Sequence, residues 1–300
     1  MTADALPGAA ASGVHQARPE FDLRGTTAMV SGGGRGFGRL LAVRLADAGA
    51  SVGLIARSAA ELALTVSSIE RSGGTAAAAV CDITDQRAAT AAIAELSGQL
   101  GTANVLVNNA GVAGPAGPLW EVSATDWWRT FEINVGGAVT LSQLVLPAMV
   151  AAGHGRVINI TSHAGVYRWP LMSAYAASKA ALVKLTETLA AETRPYGVAV
   201  FSADPGLLPI GLGDRATTSR AGAQTPEGLV HGWIRDQLRS GRGADPAQAA
   251  RLVLALASGQ WDRLSGRHLA VTDDLDDLLS RIDRVERDDL HTLRLRTFAR

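Results

Sequence analysis

From Phe21 onward the chain alternates short apolar, β-prone runs with longer stretches of helical periodicity. TTAMVS leads into a helical pattern from Phe37, SVGLIA into one from Ala59, and TAAAAV into one from Gln86. NVLVNN, RVINIT, VAVFSA and RHLAVT follow, separated by a long helix from about Thr125, an alanine-rich helix around 173–182 and two further helical patterns. Few architectures accept such an order. Parallel strands joined by right-handed helical crossovers return to one sheet and leave helices on both of its faces. Strands covered on both sides read as nearly continuous apolar runs, as these do. The expectation is an α/β fold with a doubly wound, seven-stranded parallel sheet. Residues 21–272 would form it, after a flexible tail at 1–20 (MTADALPGAAASGVHQARPE) and before a C-terminal helical extension at 273–300.

Composition narrows the function classes. With 300 residues, 47% of them hydrophobic and 19% charged, the chain can bury a large core. The formal net charge of zero and pI near 7.0 give no electrostatic footprint for nucleic acid or an anionic membrane. A single cysteine, Cys81, excludes an internal disulfide and a multi-cysteine zinc site, and the six histidines show no metal-site spacing, so no metal is expected. A reducing, cytoplasmic setting fits that usage. No apolar run approaches the roughly 18 residues of a membrane span, and no basic segment followed by an apolar stretch stands at the N-terminus. Neither secretion nor membrane insertion is expected.

Immediately after the first β-prone run comes SGGGRGFGR, with Gly32, Gly36 and Gly38 at the turn into a helix. Glycines there permit a tight turn, let the backbone approach a pyrophosphate and let helix and strand pack closely, while the helix N-terminus faces the anion. The strand-loop-helix context favours nucleotide binding over a flexible connector or the loop of a methyltransferase. About 20 residues past such a loop a dinucleotide site places an acidic residue on the ribose 2′-hydroxyl. Here the chain reads LIARS, with Ala56 and Arg57. A guanidinium there suits a 2′-phosphate, and Arg35 could add a second charge, so NADP is preferred over NAD; the other reading is two solvated arginines.

In SAYAASKAAL, residues 173–182, Tyr175 stands four positions ahead of Lys179. Alanine-rich sequence favours helix, and positions i and i+4 share a face. A positive charge about 4 Å from a phenol stabilises phenolate by roughly 1 to 4 kcal/mol, which would bring its pKa down from about 10 toward neutrality. Such a tyrosine could exchange protons with a substrate. Taken alone, such a pair is more often an accident on a solvated helix face.

In combination these segments resemble the short-chain dehydrogenase/reductase superfamily, single-domain branch, which has a Rossmann fold. The glycine spacing, the run Asn108-Asn109-Ala110-Gly111 after the fourth strand, Ser162 at the end of the fifth strand and the Tyr175/Lys179 pair occur in that family's order, over about residues 25–272. By this resemblance Tyr175 is the catalytic acid/base, Ser162 orients the substrate oxygen, Lys179 lowers the tyrosine pKa and holds the nicotinamide ribose, and Asn134 steadies a water relay behind the lysine. Gly34, Arg35 and Phe37 would join the three spaced glycines around the cofactor. Asp82 and Ile83 would lie at its adenine, Asn108, Ala110 and Gly111 along its ribose and pyrophosphate, and Pro205 and Gly206 beyond. Asn109 could instead brace the sheet. Ile210 stands where many relatives have a threonine near the nicotinamide carboxamide; Thr217, Thr218 or a backbone group could replace that hydroxyl.

The resemblance implies an NADP(H)-dependent oxidoreductase that interconverts a ketone and a secondary alcohol. Two alternatives stay open: a catalytically silent nucleotide-sensing protein, and a lyase or isomerase using the same four residues. Residues 207–243, rich in Gly, Ser, Thr and Arg, read as a mobile lid. His163, Tyr167, Trp169, Met172, Leu207, Leu208 and Trp233 suggest an apolar substrate pocket, or else core and lid packing. In the last segment Leu275, Leu278, Leu279, Ile282 and Val285 recur at spacings of three and four, an apolar helical stripe of about 14 residues that needs a partner surface. The expectation is that it docks on the domain or on a second subunit near the substrate entrance, in a homodimer or homotetramer.

Overall fold

In the computed structural model, which describes residues 20–295, the strands are β1 (Thr27–Ser31), β2 (Ser51–Ala56), β3 (Thr75–Val80), β4 (Val105–Asn108), β5 (Gly155–Ile160), β6 (Val198–Asp204) and β7 (His268–Ala270). They form one seven-stranded sheet in the order β3-β2-β1-β4-β5-β6-β7, and every neighbouring pair is parallel. This is a doubly wound Rossmann fold. The strand order reverses between β1 and β4, and in open parallel sheets a crevice for ligands opens at that point, beyond the carboxyl ends of the strands.

Helices α1 (Gly36–Asp47), α2 (Ala59–Arg71), α3 (Gln86–Leu100), α4 (Ala124–Phe131), α5 (Gly137–Ala152), α6 (Ser173–Thr193), α7 (Leu212–Thr218), α8 (Pro226–Arg239), α9 (Pro246–Ser258), α10 (Leu275–Ser280) and α11 (Ile282–Arg287) complete the chain. Alternation along each strand divides the core into two layers. Ala28, Val30, Val52 and Leu54 join Leu41 and Leu45 of α1 and Val253 and Leu256 of α9 on one face. Met29, Ile55 and Leu106 join Leu96 of α3 and Leu141 and Val145 of α5 on the other. Each large side chain so buried contributes about 1.5 to 3 kcal/mol of transfer free energy. α2 and α3 begin at their capping residues: Ser58 accepts from the Glu61 amide, and Asp85 from those of Arg87 and Ala88.

Two sequence expectations change. First, α4, a π-helical turn at Glu132–Gly136 and α5 run on as one helix, Ala124–Ala152, which is long and apolar enough by length and composition to cross a membrane. Ser142 and Gln143 interrupt its apolar residues, so the sequence holds no continuous apolar run of that length there. In this fold Leu141, Val145 and Met149 of that helix belong to the core.

Second, the C-terminal stripe is not one helix. It breaks at Arg281 (φ −109°, ψ 24°) into α10 and α11. The stripe still docks, and on its own domain. Ile282 and Val285 are 5% and 2% exposed within the core layer of α1 and α9, and Leu275, Leu278 and Leu279 pack against it. The Trp261 indole N–H also reaches Asp276 Oδ1 at 3.1 Å. Six-residue helices have little stability of their own; packing holds them, so the stripe survives the break. None of residues 273–295 lines the central cleft, although Thr272, just before them, does. Of the expected N-terminal tail only Glu20, paired with Arg251, is among the described residues; residues 1–19 and 296–300 lie outside them.

Candidate active site

A cleft of about 1090 Å³ opens over the carboxyl ends of the strands, and its floor begins at the glycine loop. Gly32 and Gly36 adopt φ of 68° and 55°, the left-handed region that side chains resist. A Cβ on Gly38 would sit 2.1 Å from the Gly32 carbonyl oxygen, so only glycine lets α1 start this close to β1. α1 also differs from two of its neighbours at its N-terminus. Side chains cap α2 and α9, which pack on α1, but none caps α1, nor α7, which begins beside it. Gly34, Gly36, Phe37 and Gly38 border the cleft. An uncapped helix start with bare backbone in a cleft fits the pyrophosphate of a dinucleotide.

Asn109 braces this floor. Its Nδ2 donates to the Ser31 carbonyl at 2.9 Å, while the Ser31 hydroxyl accepts from the amides of Asn109 and Ala110. Ala110 and Gly111 then border the cleft. Asn108 does not. It is buried, donates to Asn159 Oδ1 at 2.9 Å and Ser142 Oγ at 3.2 Å, and ties β4 to β5 and α5. It is the last residue of β4, and its side chain turns into the core, away from the place expected for it along the cofactor, while Ala110 and Gly111 beyond it line the cleft.

Farther along the wall, Asp82 and Ile83 follow β3. Asp82 accepts from the Thr84 amide and hydroxyl and from Arg129 at 3.1 Å. Burial acts to raise its pKa, but those hydrogen bonds and the charges of Arg129 and Arg57 hold the carboxyl below its usual range. Arg35 and Arg57 are exposed on the same wall, and Arg35 lies 3.7 Å from Glu61. A third arginine, Arg215 of α7, lines it too. Sequence reading did not find Arg215, since nothing in the order of residues tells which way a lid helix folds back.

The other end of the cleft gathers Ser162, Tyr175 and Lys179. Ser162 follows β5 and accepts from the Ala164 amide at 3.2 Å, and its hydroxyl faces the Tyr175 phenol closely enough to act on that group's pKa. Tyr175, in the first turn of α6, is half-buried; Lys179, one turn on, is buried. The Lys179 ammonium donates to the Ile160 carbonyl at 2.8 Å and lies 5.7 Å from the Tyr175 ring centroid. Burial pushes the phenol up to about 12; the Ser162 hydroxyl acts against this and the negative charge of Asp204 adds to it. Burial also brings Lys179 down to about 8, opposed by Asp204. The lowering expected from the Tyr175/Lys179 spacing is not what this arrangement gives: the ammonium is held on a carbonyl, and burial is the largest influence on the phenol.

Behind them, Asn134 sits buried in the π-helical turn. Its Oδ1 accepts from the Val112 amide at 2.8 Å, and its Nδ2 donates to the Val112 carbonyl at 3.0 Å and to Ser178 Oγ at 2.9 Å. Both amide hydrogens are thus committed to protein, and the side chain acts as a brace between the segment after β4 and α6. Ser178 passes the link on, donating to the Tyr175 carbonyl at 2.7 Å.

Pro205, Gly206 and Ile210 line the cleft, as do His163, Trp169, Met172 and Trp233. Leu207 and Leu208 also face it, whereas Tyr167 stacks on His163 away from the wall. The Thr217 and Thr218 hydroxyls are bonded to the Asp214 carbonyl and neither lines the cleft, so they do not replace the hydroxyl absent at Ile210. Among the described residues no cluster of His, Cys, Asp or Glu could hold a metal ion.

A profile of the short chain dehydrogenase family matches residues 26–218. The chain belongs to that family. It is similar to a short chain dehydrogenase of Pseudocercospora fijiensis, 35% identical over 89% of this chain and 86% of that one. A galactitol 2-dehydrogenase (L-tagatose-forming) of Cereibacter sphaeroides is 36% identical, covering 85% and 96%. Among solved structures, a 7α-hydroxysteroid dehydrogenase complexed with NADH and 7-oxo glycochenodeoxycholic acid superposes with a TM-score of 0.73 at 32% identity, covering 83% of this chain and 93% of that one. Such dehydrogenases are oxidoreductases that use a nicotinamide cofactor, and the glycine loop described above is a floor on which one fits.

Proposed function

We propose that this short-chain dehydrogenase interconverts a ketone and a secondary alcohol with NADP(H) as the hydride carrier, as a cytoplasmic homodimer or homotetramer. The observation that carries the reaction is the meeting of the Ser162 hydroxyl and the Tyr175 phenol on one cleft wall, with the buried Lys179 ammonium behind them. A bound nicotinamide supplies the hydride in reduction and takes it up in oxidation.

The side chains do the rest. Ser162 donates a hydrogen bond to the substrate oxygen. Tyr175, kept protonated by its raised pKa of about 12, gives that oxygen its proton as negative charge develops there. Lys179 sets a positive charge against the phenolate left behind. Donors fixed in advance in this way typically contribute about 3 to 4 kcal/mol each to the transition state. In oxidation the same phenolate accepts the alcohol proton. Trp169, Met172 and Trp233 give the substrate end an apolar wall, which suits a ketone with a sizeable apolar body.

NADP is supported by Arg57 at the end of β2, where a carboxylate for the ribose 2′-hydroxyl would otherwise stand, and by Arg35 beside it. Steady-state kinetics with both cofactors over a panel of aromatic, steroidal and aliphatic ketones test this. NADPH should give the higher kcat/KM, and Arg57→Ala should narrow or reverse the preference. Equal kcat/KM in the unmutated enzyme refutes it.

A further inference from the structure

Four arginines line the cleft: Arg242 from the segment after α8, and three others from three elements, Arg35 from the glycine loop, Arg57 from the end of β2 and Arg215 from α7. The third comes from the lid, and its position follows from backbone packing. A Cβ on Gly36 would lie 2.8 Å from Gly211 Cα, and one on Gly211 would lie 3.7 Å from both Gly36 Cα and the Phe37 nitrogen. The residue that opens α7 is therefore seated on the glycine loop. Arg215 stands one turn further, its amide donating to the Gly211 carbonyl at 3.4 Å, which sets it at the adenosine end of the cleft.

Charge supports this placement. Burial is the main influence holding the Arg215 guanidinium below its usual range, and the positive charges of Arg35 and Arg57 add to it, opposed by Glu61. Glu61 already pairs with Arg35 at 3.7 Å, and Asp82 with Arg129 at 3.1 Å. Three guanidinium groups converge where the chain's own carboxylates are shared or engaged elsewhere. A dianion would satisfy them.

We infer that Arg215 is a third ligand of the adenosine 2′-phosphate, so that NADP(H), and not NAD(H), fastens the lid over the cofactor. The inference rests on the reading that Arg57 receives that phosphate. It extends that reading from affinity to lid position: Arg235 of α8 donates to the Ala216 carbonyl of α7 at 3.0 Å, and α8 carries His231 and Trp233 into the substrate end. A phosphate held by Arg215 fixes α7, and through α7 the wall that meets the substrate.

The test uses the full-length protein with adenosine 2′,5′-bisphosphate and 5′-AMP as probes, read by calorimetric titration and by amide hydrogen exchange over 212–218. The unmutated protein should prefer the bisphosphate, which alone should slow exchange in α7. Arg215→Leu should weaken the bisphosphate by about ten-fold, leave 5′-AMP unchanged and abolish the added protection; Arg215→Lys should retain part of both. If Arg57→Ala loses the preference while Arg215→Leu keeps it, with α7 still protected, the role of Arg215 is overturned and the NADP reading stands. If the unmutated protein binds both probes equally, the NADP reading fails and the role of Arg215 fails with it.

Discussion

The Lys179 ammonium is hydrogen-bonded to the carbonyl oxygen of Ile160, the last residue of β5, at 2.8 Å. That bond holds the lysine at the carboxyl end of β5, and keeps it 5.7 Å from the centroid of the tyrosine ring it serves. The buried ammonium titrates near 8 while the phenol is pushed to about 12, so the first proton lost as pH rises is the lysine's.

Activity and stability should therefore respond to alkali in opposite senses. Reductive kcat/KM should be level below about pH 7 and fall above about pH 8, as Lys179 loses the charge that stabilises phenolate. For folding the sign differs. The folded pKa of Lys179 lies below its unfolded value of 10.5, so between these values the unfolded chain binds more protons and this group adds stability as pH rises. A pH-rate profile with urea melts at pH 7 and 9 checks both, and a flat rate through pH 9.5 removes Lys179 from the mechanism.

Asn134 should act by holding Tyr175 in place. Asn134→Ala removes the partners of the Val112 amide and carbonyl and the donor to Ser178 Oγ, which keeps its own bond to the Tyr175 carbonyl; a group left unsatisfied away from water costs about 1 to 3 kcal/mol before relaxation. We expect a destabilised protein whose kcat falls more than its KM rises. Asn134→Asp, which keeps the acceptor for the Val112 amide, should recover part of the stability. An Ala variant with unchanged kcat and melting temperature would show that the brace is idle.

How far the site was legible follows the kind of interaction involved. Local chemistry was readable: Ser58 and Asp85 fix where α2 and α3 begin, and both helices start where the sequence predicts, at Ala59 and Gln86. Spacing put Tyr175 and Lys179 on one helix face, the family resemblance added Ser162, and all three line one cleft. What failed depends on three-dimensional surroundings. Asn108 and Asn109 are adjacent, yet the first enters the core and the second braces the cleft floor, a difference set by where β4 ends. The sign of the Tyr175 shift needed the competition between desolvation and a neighbouring charge, which spacing alone does not decide. Arg215 required knowing that Gly211 folds back onto Gly36.

The C-terminal extension should contribute to the domain's own stability. Ile282→Ala empties a site only 5% exposed in the core layer of α1 and α9, at a cost of about 2 to 5 kcal/mol. A chain ending at Thr272 should melt lower still. Neither change should alter the KM for the ketone in protein that remains folded, since the extension does not line the cleft. A truncated chain that melts with the full-length protein contradicts the packing described.

The central claim is that Tyr175 transfers the proton. Tyr175→Phe keeps the ring and removes only the hydroxyl, so NADPH titration followed by fluorescence should show binding within about two-fold of the unmutated protein. NADPH oxidation with an accepted ketone, followed by absorbance, should drop by about 10²- to 10⁴-fold, the usual contribution of a positioned general acid. Cofactor binding retained with turnover lost is the result the account predicts; a Phe variant that still consumes NADPH at close to the original rate would contradict it.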